Sequence, residues 1–283
     1  MFFVVLVGEK SAIGIDNTKS CNWFSFLGPA VQSAQSFELM LFVATTRLSR
    51  TLGTRVLSIS EALVPSSINL ALTRANGVLR PSEAQVSGIA AITPTVKLLE
   101  LKVPDTITSF VAGQCVELFV PDESATGANS GGLYSACSAP TDLPRLCIAV
   151  KDSLYPPTAW CYNAATVGDR VRVRIGGEFG LDLATTGGPS DGPCVDPRFE
   201  LPPDATQLVL VAGGIGISPL ICILRHIAHC ADRSDSSSHR LPQRVHLIFG
   251  ARGRSELAFE AEIAAMAGAF DKVRPTCSAQ LTR

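Results

Sequence analysis

The stretch that decides the fold is residues 208–227, LVLVAGGIGISPLICILRHI. Its first five residues are mostly branched and apolar, which is typical of a buried strand in a parallel sheet. The strand ends at a run of glycines, and glycine both permits positive φ and lets a ligand approach the backbone closely. The spacing then predicts a helix over 219–230, with Ser218 as its N-cap and Pro219 as its first residue.

The glycine turn has the features of an anion site. Backbone N–H groups at a helix start have no partner within the helix, and the helix dipole favours negative charge there. A dinucleotide pyrophosphate is a common anion at this position. The predicted binding residues are consecutive: Gly213, Gly214, Ile215, Gly216, Ile217, Ser218 and Pro219. A purely structural tight turn is the alternative, because proline stands where the third glycine of the standard fingerprint belongs.

The composition describes a folded protein without a strong global charge. The chain has 283 residues, of which 46% are hydrophobic and 17% charged, with a net charge of −1. The length suggests about two domains, and the charge argues against nucleic acid as a partner. The longest apolar stretch contains three glycines and a proline, which argues against a membrane span. Nine cysteines occur without a Cys-x-x-Cys pair, so no metal site is expected.

Changes in pattern divide the chain into four segments. Residues 1–85 form an irregular N-terminal extension, in which the arginine- and serine-rich text from Met40 is typical of a mitochondrial transit peptide. A disordered tail on a cytoplasmic protein is the alternative. Short alternating strands over 86–182 predict an antiparallel β-barrel. Residues 183–204 predict a linker, and strand–helix alternation over 205–283 predicts an α/β domain with a parallel sheet.

Individual elements are predicted within the two domains. The strands expected in the barrel are 96–103, 114–120, 145–150 and 169–175. The elements expected in the α/β domain are strands 208–212, 244–250 and 272–280 and helices 219–230 and 255–270.

Several motifs together resemble the ferredoxin–NADP reductase superfamily. AGGIGISPL (212–220) resembles its nicotinamide-dinucleotide-binding motif, and IFGARGRSELAFEAEI (248–263) its next strand and loop. In the barrel, FVAGQCV (110–116), GLYSACSAP (132–140) and VGDRVRVRIGGEFG (167–180) resemble its flavin-domain motifs. The domain order, with the flavin-type barrel first, is also the same.

The resemblance implies hydride transfer between NAD or NADP and a flavin, with FAD expected. It assigns Tyr134 to packing on the isoalloxazine and Ser135 to a position near the reactive flavin nitrogen, and these two are the catalytic candidates. Thr158 stands where a second flavin motif has serine. Lys151 is a candidate contact for the flavin phosphate. The electron acceptor is not specified.

The chain also departs from the family pattern. Gly132 stands where the family has the arginine that holds the flavin phosphate. The chain reaches Arg283 without the family's Cys-Gly-Pro-type motif, so the nicotinamide domain is expected to be incomplete. Arg252 and Arg254 either grip a 2′-phosphate, which favours NADP, or are solvated loop residues.

These features leave three functions open. The first is a flavin-dependent NAD(P)H oxidoreductase. The second is an NAD(P)-binding protein without turnover. The third is an electron-transfer subunit whose partner carries an iron–sulfur centre.

Overall fold

The computed structural model covers most of the two predicted domains. It describes residues 2–8, 55–60, 80–121, 131–177, 179–183, 199–200, 207–232, 241–269 and 273–279.

The first domain is built on a six-stranded antiparallel sheet in the order β6-β5-β8-β3-β4-β7. Its strands are β3 (Ser82–Thr93), β4 (Val96–Lys102), β5 (Cys115–Phe119), β6 (Gly131–Ser135), β7 (Arg145–Lys151) and β8 (Arg170–Gly176). A bridge between Ala136 and Ile148 connects the end of β6 to β7, and so links the two edge strands. The predicted antiparallel barrel is therefore confirmed.

Alternating side chains explain why these segments pair. On β8, Val171 and Val173 point into the barrel and are almost fully buried. Arg172 and Arg174 alternate with them and lie over the ring of Phe119 on the outer surface. The same alternation places Ala84 and Val86 inside. The first strand of the barrel therefore begins a few residues before the predicted boundary at 86.

A short helical segment follows β7 and packs against the barrel. Helix α1 (Pro156–Ala159) continues into a π-helical turn, Trp160–Ala164. Trp160 packs against the hydrophobic core, and Cys161 is buried. This segment brings Thr158 towards the inner face of β6.

The second domain is a five-stranded sheet in the order β13-β12-β11-β1-β2. Its strands are β1 (Phe2–Gly8), β2 (Arg55–Ser60), β11 (Gln207–Gly213), β12 (Arg244–Ala251) and β13 (Val273–Ala279). The last three are parallel, as predicted from the strand–helix alternation. Strand β1 pairs antiparallel with β11, so the direction of the sheet changes between them.

The segments outside the domains differ from the sequence pattern. Strands β1 and β2 lie in the predicted irregular extension, where both segments gain backbone partners in the sheet. The rest of the predicted targeting segment, residues 40–54, lies outside the described residues. In the predicted linker, β10 (Phe199–Glu200) pairs in parallel with β9 (Leu181–Asp182). Residues 184–198 lie outside the described part.

Two helices connect the parallel strands. Helix α2 (Ile217–Asp232) follows β11, and α3 (Glu260–Ala269) follows β12. The segment Gly214–Asp232 is long and apolar enough to cross a membrane by length and composition alone. Leu220, Ile221 and Ile223 are fully buried within the fold. It is therefore a core helix of this domain.

Candidate functional site

The glycine turn connects β11 to α2. Strand β11 ends at Gly213, a short 3-10 turn covers Gly214–Gly216, and α2 begins at Ile217. Gly214 has a φ of +55°, a conformation that favours glycine. A Cβ placed on Gly214 would have no heavy atom within 4 Å. The backbone at Gly214 is therefore open to close approach by a ligand.

The residues that follow anchor the turn in the core. Because α2 begins at Ile217, the prediction that Ser218 is the N-cap is wrong. The Ser218 hydroxyl instead donates a hydrogen bond to the Ile215 carbonyl oxygen at 2.9 Å, which fixes the turn from inside the helix. Pro219 lies in the first helical turn, where its missing N–H has no cost. Ile217, Ser218 and Pro219 are all buried.

The turn lies at a change of strand direction in the sheet. Gly213 is at the carboxyl end of β11, level with Gly250 on the parallel strand β12. On the other side of β11, the register pairs Gly213 with Phe2 of the antiparallel strand β1. Ligands of open α/β sheets bind outside the carboxyl ends of the parallel strands. The position of the turn therefore suits a dinucleotide.

A second candidate site lies on β6. The register pairs Gly132 with Leu118 and Tyr134 with Val116, and both partners are fully buried. Gly132 and Tyr134 therefore share the inner face of the strand. A Cβ placed on Gly132 would lie 2.5 Å from Tyr134 Oη and 2.7 Å from Tyr134 Cε2. The tyrosine ring thus occupies the space above Gly132.

The tyrosine hydroxyl meets the α1 segment. Tyr134 Oη and Thr158 Oγ1 are 3.1 Å apart and share a hydrogen bond. Cys161 Sγ, which the sequence reasoning missed, lies 4.0 Å from Tyr134 Oη. Burial, reinforced by the neighbouring Cys161, raises the pKa of Tyr134 well above its ordinary value. Burial likewise raises the pKa of Cys161 to about 12. Both groups are therefore protonated at neutral pH.

The other predicted flavin contacts lie apart from this pair. Ser135 is on the opposite face of β6, where it pairs with Cys115 and is half-buried. Lys151 is at the end of β7, opposite Val96 on β4, and is also half-buried. The structure therefore brings Tyr134 and Thr158 together and places Ser135 and Lys151 elsewhere on the barrel.

The loop after β12 carries the two arginines that bear on cofactor choice. Arg254 is 83% exposed, and its Nε lies 3.3 Å from Glu260 Oε1. Arg252 is also exposed. Both arginines therefore lie at the surface of this loop, and Arg254 is paired with Glu260.

The two domains meet at a joint that sequence reasoning missed, formed by Gly113, Cys137, Ser138, Cys222 and Arg225. Cys222 on α2 accepts a hydrogen bond from the Gly113 N–H at 3.3 Å and donates one to the Ser138 carbonyl oxygen at 2.9 Å. Arg225 donates to the Cys137 carbonyl oxygen. Helix α2 is thereby bonded directly to the barrel.

Arg225 also connects this joint to α3. Its Nε and Nη2 each lie 2.6 Å from a carboxylate oxygen of Glu262, and its Cζ is 5.3 Å from the ring centre of Phe259. Burial opposes the charge on Arg225, but the Glu262 carboxylate outweighs it, so the pKa of Arg225 lies above its ordinary value. The guanidinium therefore remains charged and holds three segments together. The sequence does not predict these contacts, because the residues that make them are distant along the chain.

The residues present fit some of the groups that the motifs imply and not others. The open glycine turn at the start of α2 fits a pyrophosphate. The aromatic ring of Tyr134 and the hydroxyl of Thr158 fit the neutral ring system of a flavin. Position 132 carries no side chain for a flavin phosphate, so this part of the donor set fits the ring and not the anion.

Solved structures with a similar fold define the class. The chain superposes on the ferredoxin–NADP⁺ reductase of Plasmodium falciparum with a TM-score of 0.54 and 15% identity, over 72% of this chain and 75% of that one. It superposes on phthalate dioxygenase reductase with a TM-score of 0.51 and 20% identity, over 72% and 53% of the two chains. The chain therefore has the fold of a ferredoxin–NADP reductase, an antiparallel barrel followed by an α/β domain.

The sequence relatives are more specific. The chain is 36% identical over 207 residues to the Bos taurus protein named oxidoreductase NAD-binding domain-containing protein 1. The match covers 71% of this chain, which spans 60% of the length of that relative. No family model matches the chain. The chain is thus a homologue of these proteins with a ferredoxin reductase-like fold, and the resemblance seen in its motifs is confirmed.

Proposed function

We propose that the protein is an NAD(P)H-dependent oxidoreductase that transfers hydride between a nicotinamide and a flavin, with FAD as the expected flavin. The observation that carries the proposal is the open glycine turn at the carboxyl end of β11. Gly214 has a positive φ and no atom within 4 Å of a Cβ position, and a helix begins directly after the turn. Sequence relatives named as oxidoreductases support the same reaction class.

In this function the turn holds the dinucleotide through its backbone. The N–H groups at the start of α2 and the helix dipole together attract the pyrophosphate. Buried Ile217, Ser218 and Pro219 keep these groups in place, since the start of the helix cannot move without disturbing the core. The side chains at the turn are apolar or internally bonded, so binding depends on backbone geometry.

The barrel supplies the groups for the flavin. A bound flavin accepts or returns the hydride of the nicotinamide. Tyr134 offers a flat apolar surface for the ring system, and Thr158 offers a hydroxyl. Ser135 and Lys151, which lie apart from this pair, remain the predicted contacts for the reactive nitrogen and the phosphate.

The joint between the domains brings the two sites towards each other. Strand β6 carries Tyr134 and Ser135 and leads directly to Ser138, whose carbonyl oxygen is bonded to Cys222 on α2. Helix α2 begins at the glycine turn. Both sites are therefore tied to the same helix, and hydride transfer requires such fixed placement of the two reacting rings.

A second candidate function is NAD(P) binding without turnover. It is favoured by Gly132, which leaves the flavin phosphate without the family's arginine, and by the position of Tyr134 over that glycine. The dinucleotide would then bind at the turn while the barrel serves as a partner surface.

We also propose an electron acceptor and a cellular location for the protein. The solved relative phthalate dioxygenase reductase is described as transferring electrons from pyridine nucleotides to [2Fe–2S]. By analogy, this protein would pass electrons to an external acceptor. An iron–sulfur centre on a partner protein is one candidate for that acceptor. The arginine-rich text from Met40 supports a mitochondrial location.

The test is an anaerobic absorbance experiment. The purified chain is mixed with FAD or FMN, and NADH or NADPH is then added. Bleaching of the flavin band at a rate proportional to protein concentration is the expected result. Thermal stabilisation by NADH without bleaching would instead support the second candidate, and no response to either nucleotide would contradict both.

A further inference from the structure

The position of the Tyr134 ring depends on the absence of a side chain at Gly132. Tyr134 follows Gly132 by two residues, so both side-chain positions face the same side of β6. The ring lies back along its own strand, with Oη 2.5 Å and Cζ 2.9 Å from the position of a Gly132 Cβ. Real Cβ atoms do not approach other heavy atoms this closely. Glycine is therefore the residue type at position 132 that allows the ring to lie there.

The ring is stabilised in this position by the protein itself. Tyr134 packs against the hydrophobic core, and its hydroxyl shares a 3.1 Å hydrogen bond with Thr158. A buried hydroxyl with a partner avoids the cost of an unsatisfied polar group. We refer to this arrangement, the ring over Gly132 and the hydroxyl on Thr158, as the closed position of Tyr134.

The closed position uses the groups that the proposed function assigns to the flavin. Tyr134 is the proposed packing surface, Thr158 is the proposed hydroxyl, and Gly132 is where the family's phosphate-binding arginine would stand. A flavin that occupies the space over Gly132 can do so only if the ring rotates off Gly132 and its bond to Thr158 breaks. The flavin therefore competes with an internal contact.

We propose that Tyr134 is a gate, and that this protein takes up flavin reversibly as an exchangeable substrate rather than holding it as a resident group. The inference rests on the proposed function. Flavin affinity is lowered by the fraction of molecules in the closed position. In each cycle NAD(P)H gives a hydride to the flavin, a solvent proton completes the reduction, and NAD(P)⁺ and the reduced flavin both leave.

The experiment compares two neighbouring glycines. FMN is titrated without nicotinamide into wild-type protein, Gly132→Ala and the matched control Gly131→Ala. A methyl group at position 132 excludes the closed position, so FMN should bind Gly132→Ala about fivefold more tightly, as expected from removing one competing hydrogen bond. A Cβ at Gly131 faces Phe119 at 3.3 Å on the other side of the strand, and its FMN affinity should match wild type.

Desalting gives a second measure of exchange. Wild-type protein loaded with FMN should lose most of its flavin on passage through a desalting column, whereas Gly132→Ala should retain more. Equal or weaker FMN binding by Gly132→Ala would overturn the gate. So would flavin that stays with wild-type protein through desalting.

A second variant keeps the test decisive if Gly132→Ala does not fold. Tyr134→Phe retains the ring but loses the hydrogen bond to Thr158, and should bind FMN severalfold more tightly. Weaker binding would overturn the gate while the proposed hydride transfer could still be seen as bleaching by NADH. Absence of binding of both FMN and FAD to every variant would overturn the gate and the flavin part of the proposed function together.

Discussion

Gly214 and Gly132 lie in the two candidate sites, but the space next to them differs. Beside Gly214 a Cβ would have no neighbour within 4 Å, whereas beside Gly132 it would lie 2.5 Å from the hydroxyl oxygen of Tyr134. The glycine turn is thus preformed and open, since its anchoring residues are buried beneath it. The β6 site is filled by the protein's own side chain. In the proposed function, the dinucleotide site is therefore ready for its ligand, whereas the proposed flavin site must first rearrange.

Buried thiols that must stay neutral lie in the barrel and in the joint, and raising the pH should give the largest effect. Burial raises the pKa of Cys147 to about 11 and that of Cys161 and Cys222 to about 12. Because these values lie above the unfolded pKa of about 8.5, the folded state binds the protons more strongly. That stabilisation is complete below pH 8 and is lost as the pH rises towards 12.

From pH 8 to pH 10 the free energy of unfolding should therefore fall by about 2 kcal/mol for each of these thiols. Urea unfolding at the two pH values measures the change. Cys161→Ala should show a smaller fall than wild type. Equal stability of wild type at pH 8 and pH 10 would contradict this account of the buried thiols.

Removing the Arg225 side chain, which connects the joint to α3, should give the next largest effect. Arg225→Met removes the bonds to Glu262 and to the Cys137 carbonyl oxygen, and should lower the free energy of unfolding by about 2 kcal/mol, since the pair is only partly buried. Arg170→Met is the control, because Arg170 and Glu83 are 83% and 79% exposed and 3.8 Å apart. A loss no greater than that of the control would show that Arg225 does not hold the joint.

A substitution at the open glycine tests whether the turn binds the dinucleotide. In Gly214→Ala the methyl group enters the open space and the backbone is strained by its positive φ, so NADH affinity should fall about tenfold, or about 1.4 kcal/mol. Gly168→Ala is the matched control, since Gly168 has a φ of +104° and equally open space, but lies in a barrel turn. Titration of both proteins should show weaker NADH binding only in Gly214→Ala. Equal effects would mean that strain alone is responsible.

The smallest expected effect concerns Lys151. If its ammonium group contacts the flavin phosphate, Lys151→Ala should weaken FMN binding about threefold and leave riboflavin unchanged, because one exposed charge contact contributes less than 1 kcal/mol. Lys102→Ala, at the exposed end of β4, serves as the control. Identical losses for riboflavin and FMN would exclude a phosphate contact.

Local patterns explain why much of the fold could be predicted from the sequence. The apolar run before Gly213 and the alternation in β8 depend on neighbouring residues, and both predicted elements are present. Strands β1 and β2 could not be predicted, because their partners are distant in sequence. The same is true of Arg225 and Cys137, which are 88 residues apart.

The candidate site was predictable to a similar degree. Motifs identified Tyr134 and Thr158, which the structure brings into contact. The rotation of the tyrosine ring onto Gly132 could not be predicted, since it depends on packing between β6 and α1. Cys161 lies in a π-helical turn, for which the sequence has no clear signal.

The most direct test of the contrast between the open and the closed site is fluorine NMR of the wild-type protein labelled with fluorotyrosine. The chain has three tyrosines, and Tyr155→Phe and Tyr162→Phe assign the signal of Tyr134. NAD⁺ should leave that signal in place, whereas FMN should shift it towards its position in Gly132→Ala. A Tyr134 signal that does not move when FMN binds would contradict the account.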